Sequence, residues 1–371
     1  MIIGVPKEIK IDEFRVGLLP SSVHELVLHG HEVIVESDAA IGIGFTNEDY
    51  QQAGAKIVDT ALDVFERAEL IIKVKEPQSE ECRMLQSGQI LFTYLHLAPD
   101  PEQASALQES GCTAIAYETV TDIQGRLPLL APMSEVAGRL AIQAGCSSLE
   151  KPRGGSGVLL GGVPGVPPAK VVIVGGGVVG FNAISMAIGL QADVTVLDRS
   201  LPCLQRLNAQ FGSQLRTVYA TTLNVKQYVL QSDLVVGAVL VPGGSAPKIV
   251  EQSWLSDMHR GSVLVDVSID QGGCFETSHP TTHSDPTFEV DGVLHYCVAN
   301  MPGAVPRTAA FALNHATMPY ILNLANQGLE ALKKDPCFRN GLNIYAGKIT
   351  HPAVAQGLGV EYIPAEAALE T

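Results

Sequence analysis

Apolar runs alternate with amphipathic stretches along most of the chain. In the first third the apolar runs lie at residues 2–5, 31–36, 70–75, 89–97 and 113–118. Helical patterns near 61–68 and 101–110 separate some of these runs. Continuous apolar runs such as LIIKVK and QILFTYLHL are typical of strands buried on both faces of a parallel sheet. This alternation predicts an α/β domain at the start of the chain.

A second series of apolar runs predicts a second α/β domain. These runs lie at residues 171–174, 193–197, 234–239, 262–267 and 294–298. A Gly- and Pro-rich connector precedes them, and Ser134 is a candidate N-cap for the helix before that connector. A helical pattern returns at 308–328, which we expect to pack on the first domain. We therefore predict two doubly wound, Rossmann-like α/β domains with an interdomain cleft, formed by residues 1–133 plus 306–371 and by residues 134–305.

The segment VVIVGGGVVGFNAISMAIGLQADVTVLDR has the order strand, glycine turn, helix, strand. Gly175 permits a tight turn, Gly177 lets a pyrophosphate approach the backbone, and Gly180 lets the helix pack closely. The helix N-terminus offers free N–H groups and a partial positive charge to phosphates. Asp198 follows Gly180 by 18 residues, near the position of a ribose-binding acid. The segment predicts dinucleotide binding by the second domain.

Charge and cysteine content restrict the class of partner and compartment. The net charge is −15, which disfavours nucleic acid and anionic membrane surfaces as partners. The start MIIGVPKE lacks the pattern of a secretory signal, and the longest uncharged stretch belongs to the glycine-turn segment and not to a membrane span. Seven widely spaced cysteines without a C-x-x-C pair predict reduced thiols in a cytoplasmic protein.

Several polar residues follow predicted strands, where ligands bind in open α/β sheets. Lys75 and His96 close two strands of the first domain, and Arg15 follows its first strand. Arg and Lys bind carboxylates, and His transfers protons near neutral pH. Asp270 and Asn300 follow late strands of the second domain. Taken singly, each also fits a structural role, so the pattern alone leaves both interpretations open.

Other polar residues indicate no further chemistry. The run SHPTTHSDP contains His279 and His283 but lacks the helical spacing of metal ligands, so no metal site is predicted. Asp266 lies inside a predicted strand, where a buried, paired and structural role fits. Glu118 and Asp122 are interpreted as a surface acid pair.

Long stretches of the chain resemble the alanine dehydrogenase branch of the alanine dehydrogenase/transhydrogenase family. They extend from Met1 to about Leu358 and are far more specific than the glycine turn alone. The matching stretches are GVPKEIK, KVKEP, LFTYLHLAPD, PMSEVAGR, LLGGVPGVPPAKVVIVGGGVVG, VGAVLVPGG, SVLVDVSIDQGGCFETSHPTTHSDPTFEVDGVLHYCVANMPGAVPRT and DPCFRNGLNIYAGKITHPAVA.

The resemblance implies an NAD-dependent enzyme that interconverts L-alanine with pyruvate and ammonium by hydride transfer. It implies that Arg15 and Lys75 bind the substrate carboxylate and carbonyl, that His96 and Asp270 perform acid–base chemistry, and that the chain forms a homo-oligomer, often a hexamer. Asn300 is a candidate for both substrate and cofactor. The positions implied to contact the cofactor are Ser134, Val178, Val179, Asp198, Val239, Leu240, Val267, Ser268, Ile269, Asp270, Val298, Ala299, Asn300 and Met301.

Two alternatives share the predicted fold. A transhydrogenase-like subunit would exchange hydride between two nicotinamides with a membrane partner, and a sensor would bind NAD(H) without catalysis. The lack of a membrane segment and the presence of Lys75 and His96, a pair that amino-acid chemistry needs, disfavour the transhydrogenase-like subunit. A sensor would not need Arg15, Lys75, His96 and Asp270 together, so their joint presence favours the dehydrogenase.

Overall fold

The computed structural model describes residues 1–239 and 246–370, and these residues form two compact units. One unit comprises Met1–Met133 and Val305–Thr371, and the other comprises Ser134–Ala304. Each unit contains one sheet flanked by helices. Within the described ranges, no helix is both long and apolar enough to cross a membrane.

The strands and helices follow one another along the chain as the alternating pattern predicts. The strands are β1 (Ile2–Val5), β2 (Glu32–Glu36), β3 (Lys56–Val58), β4 (Leu70–Ile72), β5 (Ile90–Thr93), β6 (Thr113–Ala116), β7 (Lys170–Val174), β8 (Asp193–Asp198), β9 (Leu215–Tyr219), β10 (Leu234–Gly237), β11 (Val263–Asp266), β12 (Thr287–Val290), β13 (Val293–Tyr296), β14 (Leu342–Tyr345) and β15 (Lys348–Ile349). The helices are α1 (Pro20–Leu28), α2 (Asn47–Gln52), α3 (Ala61–Arg67), α4 (Ser79–Cys82), α5 (Pro101–Ser110), α6 (Ala131–Ser148), α7 (Val178–Gly189), α8 (Leu201–Phe211), α9 (Thr222–Leu230), α10 (Pro306–Gln327), α11 (Glu330–Lys334), α12 (Pro336–Arg339), α13 (Pro352–Leu358) and α14 (Ala365–Glu370).

The first sheet has the strand order β15-β14-β6-β5-β4-β1-β2-β3. Strands β1 to β6 are parallel, and their order 3-2-1-4-5-6 is that of the Rossmann fold. The C-terminal strand β14 pairs antiparallel with β6 and joins the last segment of the chain to this sheet. The chain reverses direction across the sheet between β1 and β4, so the loops after these two strands diverge and leave space for a ligand.

The second sheet repeats the same order. Its strands are arranged β12-β13-β11-β10-β7-β8-β9, with β12 antiparallel at one edge. The central strands β7, β10 and β11 are buried along most of their length because Val, Ile and Leu fill both faces. The reversal lies between β7 and β10, directly beside the glycine turn. Both doubly wound sheets predicted from the sequence are therefore confirmed.

Several predicted boundaries are wrong. The helix α6 begins at Ala131, so Ser134 lies in its first turn and is not the N-cap. The strands β4 and β5 end three or four residues earlier than their apolar runs. These early ends have a physical cause that bears on function, because buried carboxylates bind the backbone just beyond each strand.

Candidate active site

Lys75 is held in place by the carboxylate of Glu8. This carboxylate accepts hydrogen bonds from the backbone N–H groups of Val74 (2.6 Å) and Lys75 (3.3 Å), which ends β4 at Ile72. The Lys75 carbonyl also accepts a hydrogen bond from the Thr93 hydroxyl at 2.9 Å. Lys75 itself is 9 % exposed. The strand thus delivers Lys75 to the carboxyl edge of the sheet with its backbone fixed.

Glu8 belongs to a buried charge cluster with one cation. Lys73 has no exposed surface and pairs with Glu8 at 2.9 Å and with Glu81 at 2.6 Å. Burial opposes the charge of Lys73, but the two carboxylates outweigh burial and raise its pKa above the usual value. Burial, reinforced by Glu81, raises the pKa of Glu8. The motif GVPKE contains Glu8, but nothing in that motif indicated a partner 65 residues away.

Arg15 is buried beside a carboxylate that the sequence analysis overlooked. Its side chain binds Glu13 in a fork, with Nε–Oε1 at 2.6 Å and Nη2–Oε2 at 2.5 Å. Its Nη1 atom contacts Met133 Sδ at 3.0 Å. Glu13 therefore occupies the Nε and Nη2 edge of the guanidinium. The Glu13 contact also orients the planar group, which a bidentate grip requires.

The backbone at His96 is held by a second, partly buried carboxylate. Glu118 accepts hydrogen bonds from the N–H groups of Leu95 (3.3 Å) and His96 (2.6 Å), so β5 ends at Thr93. His96 adopts φ +51°, and its ring is 44 % exposed with Nδ1 at 3.9 Å from Glu118. The interpretation of Glu118 as part of a surface acid pair is wrong, because it lies only 13 % exposed beneath His96.

The His96 ring rests on Tyr94. The two rings are stacked with centroids 5.8 Å apart and an interplanar angle of 7°. The Tyr94 hydroxyl donates to the Leu129 carbonyl at 2.6 Å, and burial raises the pKa of Tyr94 so that the phenol stays protonated. Tyr94 thus covers one face of the His96 ring, and Glu118 holds the backbone of His96. The rest of the ring is exposed, so it can exchange a proton with a ligand.

His351, which interacts electrostatically with Glu118, makes the stability of this unit sensitive to acid. His351 precedes α13, its Nδ1 is buried without a hydrogen-bond partner, and burial lowers its pKa although Glu118 opposes the shift. The folded state therefore binds fewer protons than the unfolded state just below pH 6.5. We expect the unfolding free energy to fall as the pH drops below about 6.5. In His351→Asn it should fall less steeply, because Asn does not titrate. Asn also suits the N-cap position, so α13 should be retained.

Urea titrations at a series of pH values would measure this slope. His24→Asn, at an exposed position, is the matched control and should keep the wild-type slope. A His351→Asn protein with the wild-type slope would contradict the assignment.

The glycine turn of the second unit leaves room for a phosphate group. Gly175 adopts φ +103°, and a Cβ there would lie 2.4 Å from the carbonyl oxygen of Ala238, which directly follows the neighbouring strand β10. A Cβ on Gly180 would lie 1.9 Å from the Gly175 carbonyl oxygen, so helix and turn touch. A Cβ on Gly177 would meet nothing within 4 Å. Gly177 is also the N-cap of α7 and provides no side chain to cap its N–H groups. The start of α7 therefore has no side-chain cap, and the space beside Gly177 is open.

Asp198 ends β8 beside the glycine turn. Its Oδ2 accepts a hydrogen bond from the Gly176 N–H and its Oδ1 accepts one from the Ser200 N–H, both at 2.7 Å. Each carboxylate oxygen retains a second lone pair for a ribose hydroxyl. Arg206 and the Cys203 thiol both donate to the Gly176 carbonyl at 3.1 Å. This network fixes the acid relative to the turn.

Asp270 and Asn300 lie together at the carboxyl edge of the second sheet. Asp270 is exposed in the 3₁₀ turn Ile269–Gln271 that follows β11, and its Oδ1 accepts a hydrogen bond from the Asn300 N–H at 3.3 Å. Asn300 adopts φ +56°, and its carbonyl lies 3.3 Å from His283 Nε2. His283 is thus a backbone contact of this loop, a role that its sequence context did not indicate.

The other positions implied to contact a cofactor divide into three groups. Val178 and Val179 begin α7, and Ser134 lies in the first turn of α6. The loops after β10, β11 and β13 contain a further set, and the Ser268 hydroxyl joins two of these loops through a 2.6 Å bond to the Val239 carbonyl. That set comprises Val239, Val267, Ser268, Ile269, Val298, Ala299 and Met301. Leu240 lies outside the described residues.

These features fit a nicotinamide dinucleotide. The open turn at Gly177 and the uncapped start of α7 suit a pyrophosphate, and Asp198 suits a ribose. The first sheet has the same topology but carries Arg15, Lys75 and His96 after its strands in place of a glycine turn. The fold and these residues define a dinucleotide-binding oxidoreductase.

Comparison with known proteins identifies the family. The model of the alanine dehydrogenase/PNT N-terminal domain matches residues 4–137, and that of the alanine dehydrogenase/PNT C-terminal domain matches residues 141–352. The chain belongs to this alanine dehydrogenase/PNT family.

Relatives match the chain over nearly its whole length. The alanine dehydrogenase of Halomonas elongata is 56 % identical over 98 % of this chain and 99 % of its own, and that of Bacillus subtilis is 54 % identical over 100 % and 98 %. A solved L-alanine dehydrogenase superposes with a TM-score of 0.94 at 54 % identity, covering 97 % of this chain and 99 % of its own. A transhydrogenase from Sinorhizobium meliloti shares the fold, with a TM-score of 0.82 at 24 % identity over 94 % of this chain and 100 % of its own.

Proposed function

We propose that this protein is an L-alanine dehydrogenase that uses NAD to convert L-alanine and water into pyruvate and ammonium, reversibly. The observation that carries the proposal is that two sheets with the same strand order have different residues at their carboxyl edges. One sheet has the glycine turn and acid of a dinucleotide site, and the other places Arg15, Lys75 and His96 at its carboxyl edge. Full-length identity above 50 % to curated alanine dehydrogenases supports the choice of substrate.

The residues of the first unit would bind and orient the amino acid. Arg15, fixed by Glu13, holds the substrate carboxylate through a charge-assisted hydrogen bond. Lys75 adds a second positive charge and, in the reverse direction, binds the carbonyl oxygen of pyruvate. Such a clamp sets the orientation of Cα before the reaction, which lowers the entropic part of the barrier. A local cationic pair also explains how a strongly acidic protein binds an anion.

His96 and Asp270 would move the protons. Bound NAD supplies the acceptor for the hydride that leaves Cα. His96 takes a proton from the water that adds to the resulting imino acid, and it returns a proton to the nitrogen as ammonia leaves. Asp270 stabilises the charge that develops during this exchange. The products are pyruvate, ammonium, the reduced cofactor and one released proton, which balances the overall reaction.

The reverse reaction tests the proposed function. Purified protein is given NADH and pyruvate, with and without ammonium. We expect NADH oxidation only when pyruvate and ammonium are both present, since the amino group of alanine comes from ammonium. Oxidation with pyruvate alone would indicate a hydroxy-acid dehydrogenase, and oxidation only with a second nicotinamide nucleotide would favour a transhydrogenase-like activity.

Asp198→Ala is expected to weaken the binding of NAD selectively. The variant loses the ribose contact and the acceptor for Gly176 and Ser200, and a hydrogen bond to a charged group contributes about 1.5–3 kcal/mol. The KM for NAD should rise about 10- to 100-fold, while the KM for L-alanine changes little. Initial rates at varied NAD and varied alanine measure both constants. An unaltered KM for NAD would remove Asp198 from the ribose site.

We also propose that the enzyme is a cytoplasmic homohexamer, as the family resemblance implies. Sedimentation velocity of the purified protein would give a single species six times the mass of the 39.3 kDa chain. A monomer or dimer at micromolar concentration would contradict the hexamer.

A further inference from the structure

Asp266, the last residue of β11, lies at the centre of a cluster of hydrogen-bond donors. It has no exposed surface. Its Oδ1 accepts from the Ser268 N–H at 3.0 Å and the Cys274 thiol at 3.4 Å. Its Oδ2 accepts from the Ser278 hydroxyl at 2.6 Å and from the N–H groups of Cys274 at 2.8 Å and Phe275 at 3.3 Å. Five donors thus converge on one carboxylate.

No Lys or Arg within residues 1–239 and 246–370 forms an ion pair with Asp266. A buried carboxylate without a cation is costly unless hydrogen bonds replace its hydration. The five donors supply that replacement. Burial, together with the Asp266 carboxylate, raises the pKa of Cys274 well above its usual value, so the thiol keeps its proton and remains a donor. The cluster therefore depends on the acceptor capacity of Asp266.

The donors lie at both ends of the loop that carries Asp270. The Ser268 N–H is at the start of this loop and the Cys274 N–H is at its end. Between them, the chain turns back through Gly273 at φ +75°, where a Cβ would lie 2.7 Å from Asp266 Oδ2. The loop is therefore wrapped closely around the buried carboxylate, with Asp270 exposed on its outer side.

We propose that Asp266 is a positioning residue that fixes both ends of this loop and thereby holds Asp270 in its reactive orientation. The inference rests on the proposed function, because Asp270 needs a defined orientation only if it takes part in the deamination. Asp266 itself has no exposed surface and is enclosed by protein groups, so its role is to position the loop.

The variant Asp266→Asn tests the proposal with almost no change in shape. In either orientation of the amide, its NH₂ group faces at least two of the five donors, so the loop ends must separate. We expect kcat for L-alanine oxidation to fall about 100-fold, the loss typical of a reacting group displaced by about 1 Å. Hydrogen exchange of the peptide that covers residues 267–276 should become at least about tenfold faster, since its opening becomes easier.

A double-mutant cycle with Asp270→Asn distinguishes positioning from a general structural role. If Asp266 acts through Asp270, adding Asp266→Asn to Asp270→Asn should change kcat by less than about threefold. Losses that multiply in the double variant would overturn the proposal. So would an Asp266→Asn enzyme with wild-type kcat, or with wild-type hydrogen exchange in the loop.

Ser278→Ala keeps the test informative if Asp266→Asn does not fold. It removes the 2.6 Å donor but leaves the backbone donors, and we expect kcat to fall about three- to tenfold, with the same lack of additivity toward Asp270→Asn. Ser253→Ala is the matched control, because the Ser253 hydroxyl binds the exposed Glu251 at 3.3 Å, and its kcat should be that of wild type. A Ser278→Ala enzyme with unchanged kcat would overturn the proposal. Wild-type protein without L-alanine oxidation would overturn the proposed function itself, whatever the exchange result.

Discussion

The substitution His96→Asn is expected to lower kcat for L-alanine oxidation by about 10²–10⁴-fold, the usual contribution of a general acid–base group. The His96 ring is accessible at the carboxyl edge of the first sheet, stacked on Tyr94, and Glu118 fixes its backbone. Asn keeps that backbone because it tolerates φ +51° better than most residues, but it cannot exchange a proton near neutral pH. The loss should therefore appear in turnover and not in folding.

Two further variants complete this test. His96→Ala should lose the same turnover and should also be less stable than His96→Asn, since a left-handed backbone is less favourable for Ala than for Asn. His259→Asn, at an exposed position of the other unit, should leave both properties unchanged. Steady-state kinetics and urea unfolding of the three proteins separate the two effects. A His96→Asn enzyme with wild-type kcat would remove His96 from the chemistry.

Lys73→Met is expected to destabilise the protein by about 3–5 kcal/mol, the effect of removing one partner from a buried ion pair. Glu8 and Glu81 would then face each other in the core without a cation. Glu8 also holds the N–H groups of Val74 and Lys75, so movement of its carboxylate would disturb the substrate-binding edge as well. Urea unfolding monitored by circular dichroism measures the free-energy change.

Lys56→Met provides the control for that experiment. Lys56 pairs with Glu32 at 2.9 Å, the same distance as the Lys73–Glu8 contact, but it is 63 % exposed. Exposed pairs contribute about 0–1 kcal/mol because water screens them. Equal effects of Lys56→Met and Lys73→Met would contradict the view that burial gives the cluster its importance.

Local sequence patterns predicted the two sheets and the residues at the carboxyl edge of each sheet. The glycine turn was recognisable because three positions at fixed spacing, Gly175, Gly177 and Gly180, each require glycine for a different steric reason. Lys75 and His96 were predicted as candidates because the carboxyl ends of parallel strands lie at one edge of the sheet. This prediction did not depend on the exact strand ends, which were placed too late in both cases. The four edge strands β3, β9, β12 and β15 were not predicted, and neither was β14, which pairs antiparallel with β6. Edge and antiparallel strands lack the continuous apolar run of a central parallel strand.

The carboxylates that support the candidate site could not be predicted from local pattern. Glu8 binds a backbone 66 residues away and Glu118 one 22 residues away, so neither has a signal within its own segment. Asp266 was given a structural role inside a strand, but its contacts with Ser278 and Cys274 depend on how the loop returns. Apolar periodicity reports burial, whereas it carries no information on which buried acid binds which N–H group.

The most direct measurement is NADH formation by the purified protein with L-alanine, compared with D-alanine, glycine and L-glutamate, using NAD and then NADP. The account predicts rapid reduction of NAD that depends on L-alanine, with much slower rates for the other amino acids and for NADP. The absence of L-alanine-dependent reduction, in protein shown to bind NADH, would contradict the assignment as an alanine dehydrogenase.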